Sequence, residues 1–329
     1  MGRVYESIAE LVGGTPLVHF SRFGKAAGAK GRILAKLEYF NPTSSTKDRV
    51  ALAMIEQAEA QGKIKPGDTF CETTSGNTGI SLAALAAVKG YGFKAYIQDF
   101  VSKERKQVIR AYGAHLVNMG EVPQAARALE ESGGDFVAAT AAIKAMLAKD
   151  GAVVMDQMHN PQNPLSHFEG TGRELWEDTE GHIDVLVASV GTGGTVTGVG
   201  RYLKQKNPAV KIIAVQPRSD ERDITGVHRF SDVDECHFPA NLDLSVVDEV
   251  VTVSASDARR AARLAARSEG TLVGSSSGAA LWAAVQVALR DEAEGKVIAA
   301  ILPDTGLRYL STGLFDEDEG ELDSGEVVL

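Results

Sequence analysis

Val185-Leu186-Val187-Ala188-Ser189-Val190 runs without a break into Gly191-Thr192-Gly193-Gly194-Thr195. A short apolar run of this kind reads as a strand covered on both faces, and the glycine-rich turn after it as the start of a helix. The arrangement recurs where Thr69–Thr74 meets Ser75-Gly76-Asn77-Thr78-Gly79, and again at Gly274-Ser275-Ser276-Ser277-Gly278. Ile33–Glu38, Phe93–Gln98, His115–Met119, Ala152–Asp156, Lys211–Val215, Glu249–Ser254 and Val297–Leu302 also read as strands. Helical patterns lie between them. Asp48–Gln61 puts Val50, Ala51, Met54, Ile55 and Ala58 on one face, and Ser254-Ala255-Ser256-Asp257 reads as a capping-box start for Ser256–Glu269. Strand alternating with helix predicts an α/β fold with largely parallel sheets. A chain of 329 residues, at about 150 per domain, predicts two domains. No Pro/Gly/Ser linker separates them, so they are expected to be interwoven.

Composition narrows the class. The chain is 44% hydrophobic and 24% charged, with two cysteines, Cys71 and Cys236. That is too few for a disulfide framework or a cysteine-rich zinc site, and it predicts a reduced, cytoplasmic protein. No apolar run reaches membrane-spanning length, and residues 1–10 have the charges of Arg3, Glu6 and Glu10 in place of a signal core. The net charge is -10, but residues 316–329 hold seven acids and no Lys or Arg. They read as a solvated acidic tail. The remaining body is near neutral and carries no basic stripe with interleaved aromatics, which argues against nucleic acid as a partner.

The 34 glycines exceed the usual ~7%, and the excess gathers in the three turns. A helix start with free N–H groups favours an anion, and glycine lets a ligand approach the backbone. A dinucleotide fingerprint fails, because Val196 stands where the third glycine belongs and no acid follows the later strand, which ends Val215-Gln216-Pro217. A Walker A loop fails for want of its lysine. A single phosphate fits better, with Gly191–Thr195 as its cradle. A fourth signal is Asn41-Pro42-Thr43-Ser44-Ser45-Thr46-Lys47-Asp48-Arg49. Here Lys47 falls in the first turn of the next helix, where the dipole disfavours a cation and favours a neutral, Schiff-base-forming amine. On this segment alone, a surface lysine paired with Asp48 or Glu56 is the leading reading.

Together these segments resemble the cysteine synthase and cystathionine β-synthase family, pyridoxal-phosphate enzymes of fold type II. The likeness runs from Gly14-Thr15-Pro16-Leu17-Val18 to the stretch Leu302–Thr312, through Pro42–Arg49, Thr74–Gly79, Gly191–Thr195, Asn207-Pro208 and Gly274–Gly278. The resemblance implies two interwoven three-layer α/β domains in a homodimer, with one pyridoxal phosphate per chain held between domains. Residues 1–40 and 157–315 would form the larger, cofactor-binding domain, and 41–156 the smaller, mobile substrate domain. It further implies that Lys47 joins the cofactor and moves the Cα proton. Asn77 would meet the 3-hydroxyl oxygen, Gly191, Thr192, Gly193, Gly194 and Thr195 the phosphate, and Ser276 the ring nitrogen. Thr74, Ser75, Thr78 and Gln157 would bind the substrate α-carboxylate. No metal is expected.

The reaction implied is β-replacement on an activated serine such as O-acetyl-L-serine, through an aminoacrylate, by sulfide or another sulfur nucleophile. A serine hydroxyl at the ring nitrogen makes the ring a weaker electron sink than a carboxylate would, which suits direct β-elimination. Asp220–Phe230 and Tyr309–Phe315 resemble the cysteine synthase B branch, which also accepts thiosulfate. Arg229 would draw an anionic nucleophile, or else is a surface arginine answering the acidic body. Three segments depart from the family pattern: Thr43-Ser44-Ser45-Thr46 for its glycine-containing P-x-G-S, His167–Glu174, and Gln98-Asp99-Phe100. They leave open synthases of cystathionine, diaminopropionate or ureidoserine type, a serine/threonine dehydratase, and a silent binding subunit. His167 reads as a capping or packing residue and Cys71 as core.

Overall fold

The computed structural model describes residues 4–74, 76–99, 101–218 and 224–316. Of the acidic tail, residues 317–329 lie outside this set. In chain order the strands are β1 (Leu17–His19), β2 (Arg32–Leu37), β3 (Thr69–Thr73), β4 (Gly92–Ile97), β5 (His115–Asn118), β6 (Val153–Val154), β7 (Val185–Ser189), β8 (Lys211–Pro217), β9 (Glu249–Val253) and β10 (Val297–Leu302). The protein is α/β: one sheet is ordered β1-β2-β10-β7-β8-β9 and a second β5-β4-β3-β6. Every pairing is parallel except β1 with β2.

All nine expected strands form. The tenth, β1, is a three-residue antiparallel edge, too short for periodicity to mark. β6 is shorter than expected because Asp156 turns to a φ of 53°, which ends the extended run. Every residue of β10, and five in succession on β2, is buried. Side chains alternate between faces along a strand, so unbroken burial means that helices or loops cover both.

The chain divides into two compact units. One takes Met1–Val12, Lys47–Asn163 and Asp234–Phe238; the other Gly13–Thr46, Pro164–Val233 and Pro239–Leu329. The first contains the four-stranded sheet, packed around Val50, Met54, Ile55, Phe70, Ile80, Leu82 and Ile109. The second contains the six-stranded sheet, packed around Phe20, Phe23, Ile33, Val187, Ile213, Leu281 and Ile298. Residues 41–46 fall in the larger unit for a local reason. Thr46 N donates to Pro303 O at 2.8 Å, Ser45 bridges Asp304, and an Arg308 N–H bonds Thr43 O. Among the described residues no helix is long and apolar enough to cross a membrane.

One polar group sits deep in the larger unit. Lys36 on β2 is fully buried; its Nζ donates to Thr15 O at 2.7 Å and pairs with Glu174 and Asp178, each at 3.0 Å. Asp178 is solvent-exposed and Glu174 partly so, so loss of the lysine leaves chiefly Thr15 O without its donor. Lys36→Ala is expected to lower unfolding stability by about 1–3 kcal/mol, read from urea denaturation.

Candidate active site

Within the smaller unit, Lys47 is the first residue of the helix Lys47–Ala60, and it is half-buried. The turn before it depends on Ser44, whose φ is 58°. That is the left-handed region, disfavoured by any side chain with a Cβ. Ser44 therefore keeps a glycine's conformation at the position where the P-x-G-S pattern has its glycine. Its N–H closes the turn onto Asn41 O at 2.8 Å.

β3 leads to the helix Asn77–Lys89, which no side chain caps. Thr74 Oγ1 closes the loop instead, accepting from Gly76 N and Gly79 N at 3.2 Å each. A Cβ at Gly79 would lie 2.6 Å from Thr74 Cγ2, so the glycine is needed for close approach. Asn77 is half-buried, and Thr74 and Thr78 are buried; Ser75 lies outside the described residues. Thr78 Oγ1 donates a short hydrogen bond to Gln157 Oε1. Thr78 and Gln157, 79 positions apart in sequence, thus meet at a helix start whose Gly79 amide Thr74 already holds.

Behind that pair stands Glu72, a residue that sequence reasoning missed inside an apolar strand. It is 1% exposed and accepts from Gln157 N at 3.1 Å and Thr73 N at 2.9 Å. Burial pushes its carboxyl up to about 7, and the two N–H donors oppose this only partly. Gln157 is held from a second side by Asn163, whose Nδ2 donates to its carbonyl at 2.9 Å.

Within the larger unit, β7 leads through Val190 to Gly191–Thr195 and the helix Gly194–Lys206. Gly193 has a φ of 85°, and a Cβ there would lie 2.6 Å from Leu242. A Cβ at Gly191 would lie 2.5 Å from Gly226 O. No side chain caps this helix either. Thr195 Oγ1 lies 3.2 Å from His167 Nε2, while His167 Nδ1 meets Thr171 Oγ1 at 2.9 Å. His167 is fully buried, as a packing residue should be, and it also fixes a hydroxyl of the glycine loop.

The third turn opens the helix Ser275–Ala288, again without a side-chain cap. Ser189 Oγ, at the end of β7, donates to Ser276 O at 2.7 Å and ties this turn to the glycine loop. Ser276 is buried, and the buried hydroxyls of Ser275 and Ser277 find no hydrogen-bond partner in the protein. The helices at 103–111, 136–149 and 255–269 are, by contrast, capped by Ser102, Asp135 and Ser254. Within the larger unit, the glycine-led start at Gly194 and the orphaned hydroxyls of Ser275 and Ser277 fit a ligand that accepts hydrogen bonds and carries a phosphate. Arg229 pairs with Asp232 at 3.0 Å.

Comparison with known proteins identifies the ligand class. The family model described as "Pyridoxal-phosphate dependent enzyme" matches residues 8–304. The chain belongs to that family. Cysteine synthase B of Pseudomonas aeruginosa is 42% identical over 315 residues, 95% of this chain and 98% of that one. Cysteine synthase B of Salmonella typhimurium is 40% identical over 312 residues, 95% and 97% respectively. Among solved structures, O-ureido-L-serine synthase is 39% identical with a TM-score of 0.82, covering 98% of this chain and 99% of that one. Cysteine synthase from Entamoeba histolytica is 37% identical with a TM-score of 0.83, covering 96% and 92%.

Two outcomes follow from the strained turn and the buried acid. Ser44→Gly relieves the left-handed backbone and is expected to stabilise the protein by about 0.5–1 kcal/mol, net of glycine's entropy, in thermal or urea unfolding. Glu72 binds its proton more tightly folded than unfolded, so stability is lost as pH rises from about 4.5 through about 7. Glu72→Gln should flatten that part of the stability–pH curve.

Proposed function

We propose that the chain is a pyridoxal-phosphate-dependent cysteine synthase. It replaces the β-substituent of an activated L-serine, O-acetyl-L-serine or similar, with sulfide or thiosulfate, giving L-cysteine or S-sulfocysteine. The observation that carries the reading is Lys47 at the head of its helix, in a chain about 40% identical to two cysteine synthases B along nearly its whole length. A relative among solved structures is titled O-acetyl serine sulfhydrylase.

Pyridoxal phosphate, when bound, supplies an aldehyde that condenses with amines and a ring that withdraws electrons from the substrate's Cα. This chain's residues do the rest. Gly191, Thr192, Gly193, Gly194 and Thr195 offer the phosphate uncapped amides and hydroxyls, and His167 holds Thr195 in place. Asn77 would take the 3-hydroxyl oxygen. Ser276 would meet the ring nitrogen with a neutral hydroxyl, which would not hold the ring protonated as a carboxylate would. Thr74, Ser75, Thr78 and Gln157 bind the α-carboxylate at the start of the helix Asn77–Lys89, and Glu72 keeps Gln157 in position. Lys47 anchors the cofactor, then removes and returns the proton at Cα. Arg229 attracts an anionic nucleophile in competition with Asp232. The working form is a cytoplasmic homodimer.

A second reading rests on the O-ureido-L-serine synthase structure, which this chain matches as well as it matches the cysteine synthase structure. There the same site would accept a hydroxyurea-like oxygen nucleophile in place of sulfur.

Borohydride reduction of the native protein is expected to fix the cofactor on the tryptic peptide containing Lys47, seen by mass spectrometry, and Lys47→Ala should lose both adduct and turnover. With O-acetylserine as donor, sulfide or thiosulfate should outpace hydroxyurea in kcat/KM. Arg229→Ala should lower thiosulfate turnover more than sulfide turnover. Labelling elsewhere than Lys47 overturns the cofactor assignment, hydroxyurea as the best nucleophile overturns cysteine synthesis, and equal losses in Arg229→Ala overturn its anion role.

A further inference from the structure

The chain passes out of the larger unit after Val233, spends five residues in the smaller one, and returns at Pro239. Those five residues, Asp234-Glu235-Cys236-His237-Phe238, hold three different metal-binding side chains within reach of one another. Cys236 Sγ is 3.1 Å from Asp234 Oδ1 and 3.2 Å from His237 Nδ1, and His237 Nδ1 is 2.5 Å from Asp234 Oδ1. The ring's other nitrogen, Nε2, lies 3.4 Å from Asp135 Oδ1. Asp135 also caps the helix Phe136–Lys149, accepting from Val137 N at 2.9 Å.

From this geometry we infer that Asp234, Cys236 and His237 form a surface zinc(II) site, with Asp135 orienting the histidine. Thiolate, imidazole and carboxylate are zinc's ordinary ligands, and no hard cation such as calcium or magnesium favours sulfur or nitrogen. Zinc bond lengths in a tetrahedron require ligand–ligand edges of about 3.4–3.6 Å. The two sulfur edges need only a few tenths of an ångström of opening. The nitrogen–oxygen edge needs about 0.9 Å, within the rotation of two exposed side chains. Solvent supplies the fourth ligand.

The Asp135 contact reproduces the outer shell of known zinc sites, where a carboxylate accepts from the far nitrogen of a ligating histidine and fixes which nitrogen faces the metal. Cys71, the other cysteine, is buried in the β3 core and does not compete. The histidines in the sequence show no metal-ligand spacing among themselves. Here one histidine works with a neighbouring cysteine and aspartate, and its orienting partner lies a hundred residues away. Zinc would clip the five-residue excursion to the start of the helix Phe136–Lys149 and so stiffen it.

The test uses the untagged, pyridoxal-phosphate-loaded protein, stripped with chelator and dialysed. Zinc competition against a chromophoric chelator should give one tight site per chain. Cobalt(II) should produce a thiolate-to-metal charge-transfer band. Cys236→Ser should abolish the band, and His237→Ala should abolish tight binding. Asp135→Asn should weaken zinc by about 10–100-fold while keeping the band. Amide exchange around residues 234–238 should slow on zinc addition in wild type and not in Cys236→Ser. All the altered side chains but Asp135 are exposed, and matching metal-free melting curves will confirm that the variants fold. Absence of a stoichiometric site, or a site that survives in Cys236→Ser, overturns the proposal.

Discussion

An α-helix begins with amide groups that its own hydrogen bonding cannot satisfy, and three such beginnings in this chain have no side chain at the capping position. Each is led by glycine: Gly76, Gly193 and Gly274. Other helix starts are capped by Ser102, Asp135 and Ser254, while Pro123–Glu131 also begins without a side-chain cap. Glycine gives up the side-chain cap and in exchange lets the turn close against neighbouring backbone, as at Gly191 and Gly226. Thr74 and Thr192 hydroxyls then meet some of the first-turn amides, and such glycine-led starts suit an anion.

Those turns are tied by polar groups from neighbouring elements. Glu72 holds Gln157 from below, and His167 holds Thr195. Ser189 reaches across to the backbone of Ser276. Burial makes each of these bonds matter, since a displaced partner leaves a polar atom with neither protein nor water to meet it. Glu72 carries a further cost, since burial raises its proton affinity. Ser44 is a comparable case in the backbone: a strained residue kept at the entrance to the helix that Lys47 heads.

The strands, the α/β class and the glycine turns were legible because each has a local signature. Apolar runs mark doubly covered strands, and clustered glycines mark close approach. Lys47 was legible from its segment only as one of two readings; the resemblance across the whole chain separated them. Glu72 was hidden because a buried acid inside Thr69–Thr73 has no local signal, its partners lying at Thr73 and at Gln157, 85 positions on. His167 was read as packing because its second bond, to Thr195, comes from a distant element. β1 escaped because three edge residues carry too little periodicity.

The sequence alone determined which backbone could form where: covered parallel strands, helices started by glycine, and a lysine at a first turn. These follow from steric and hydrophobic preferences acting over a few residues. Only the tertiary structure decided which side chains meet. It brought Gln157 to Thr78, His167 to Thr195 and His237 to Asp135, and it assigned residues 41–46 and 234–238 to their units. Such meetings rest on hydrogen bonds closed over long loops of chain, and no pattern within a short window encodes them.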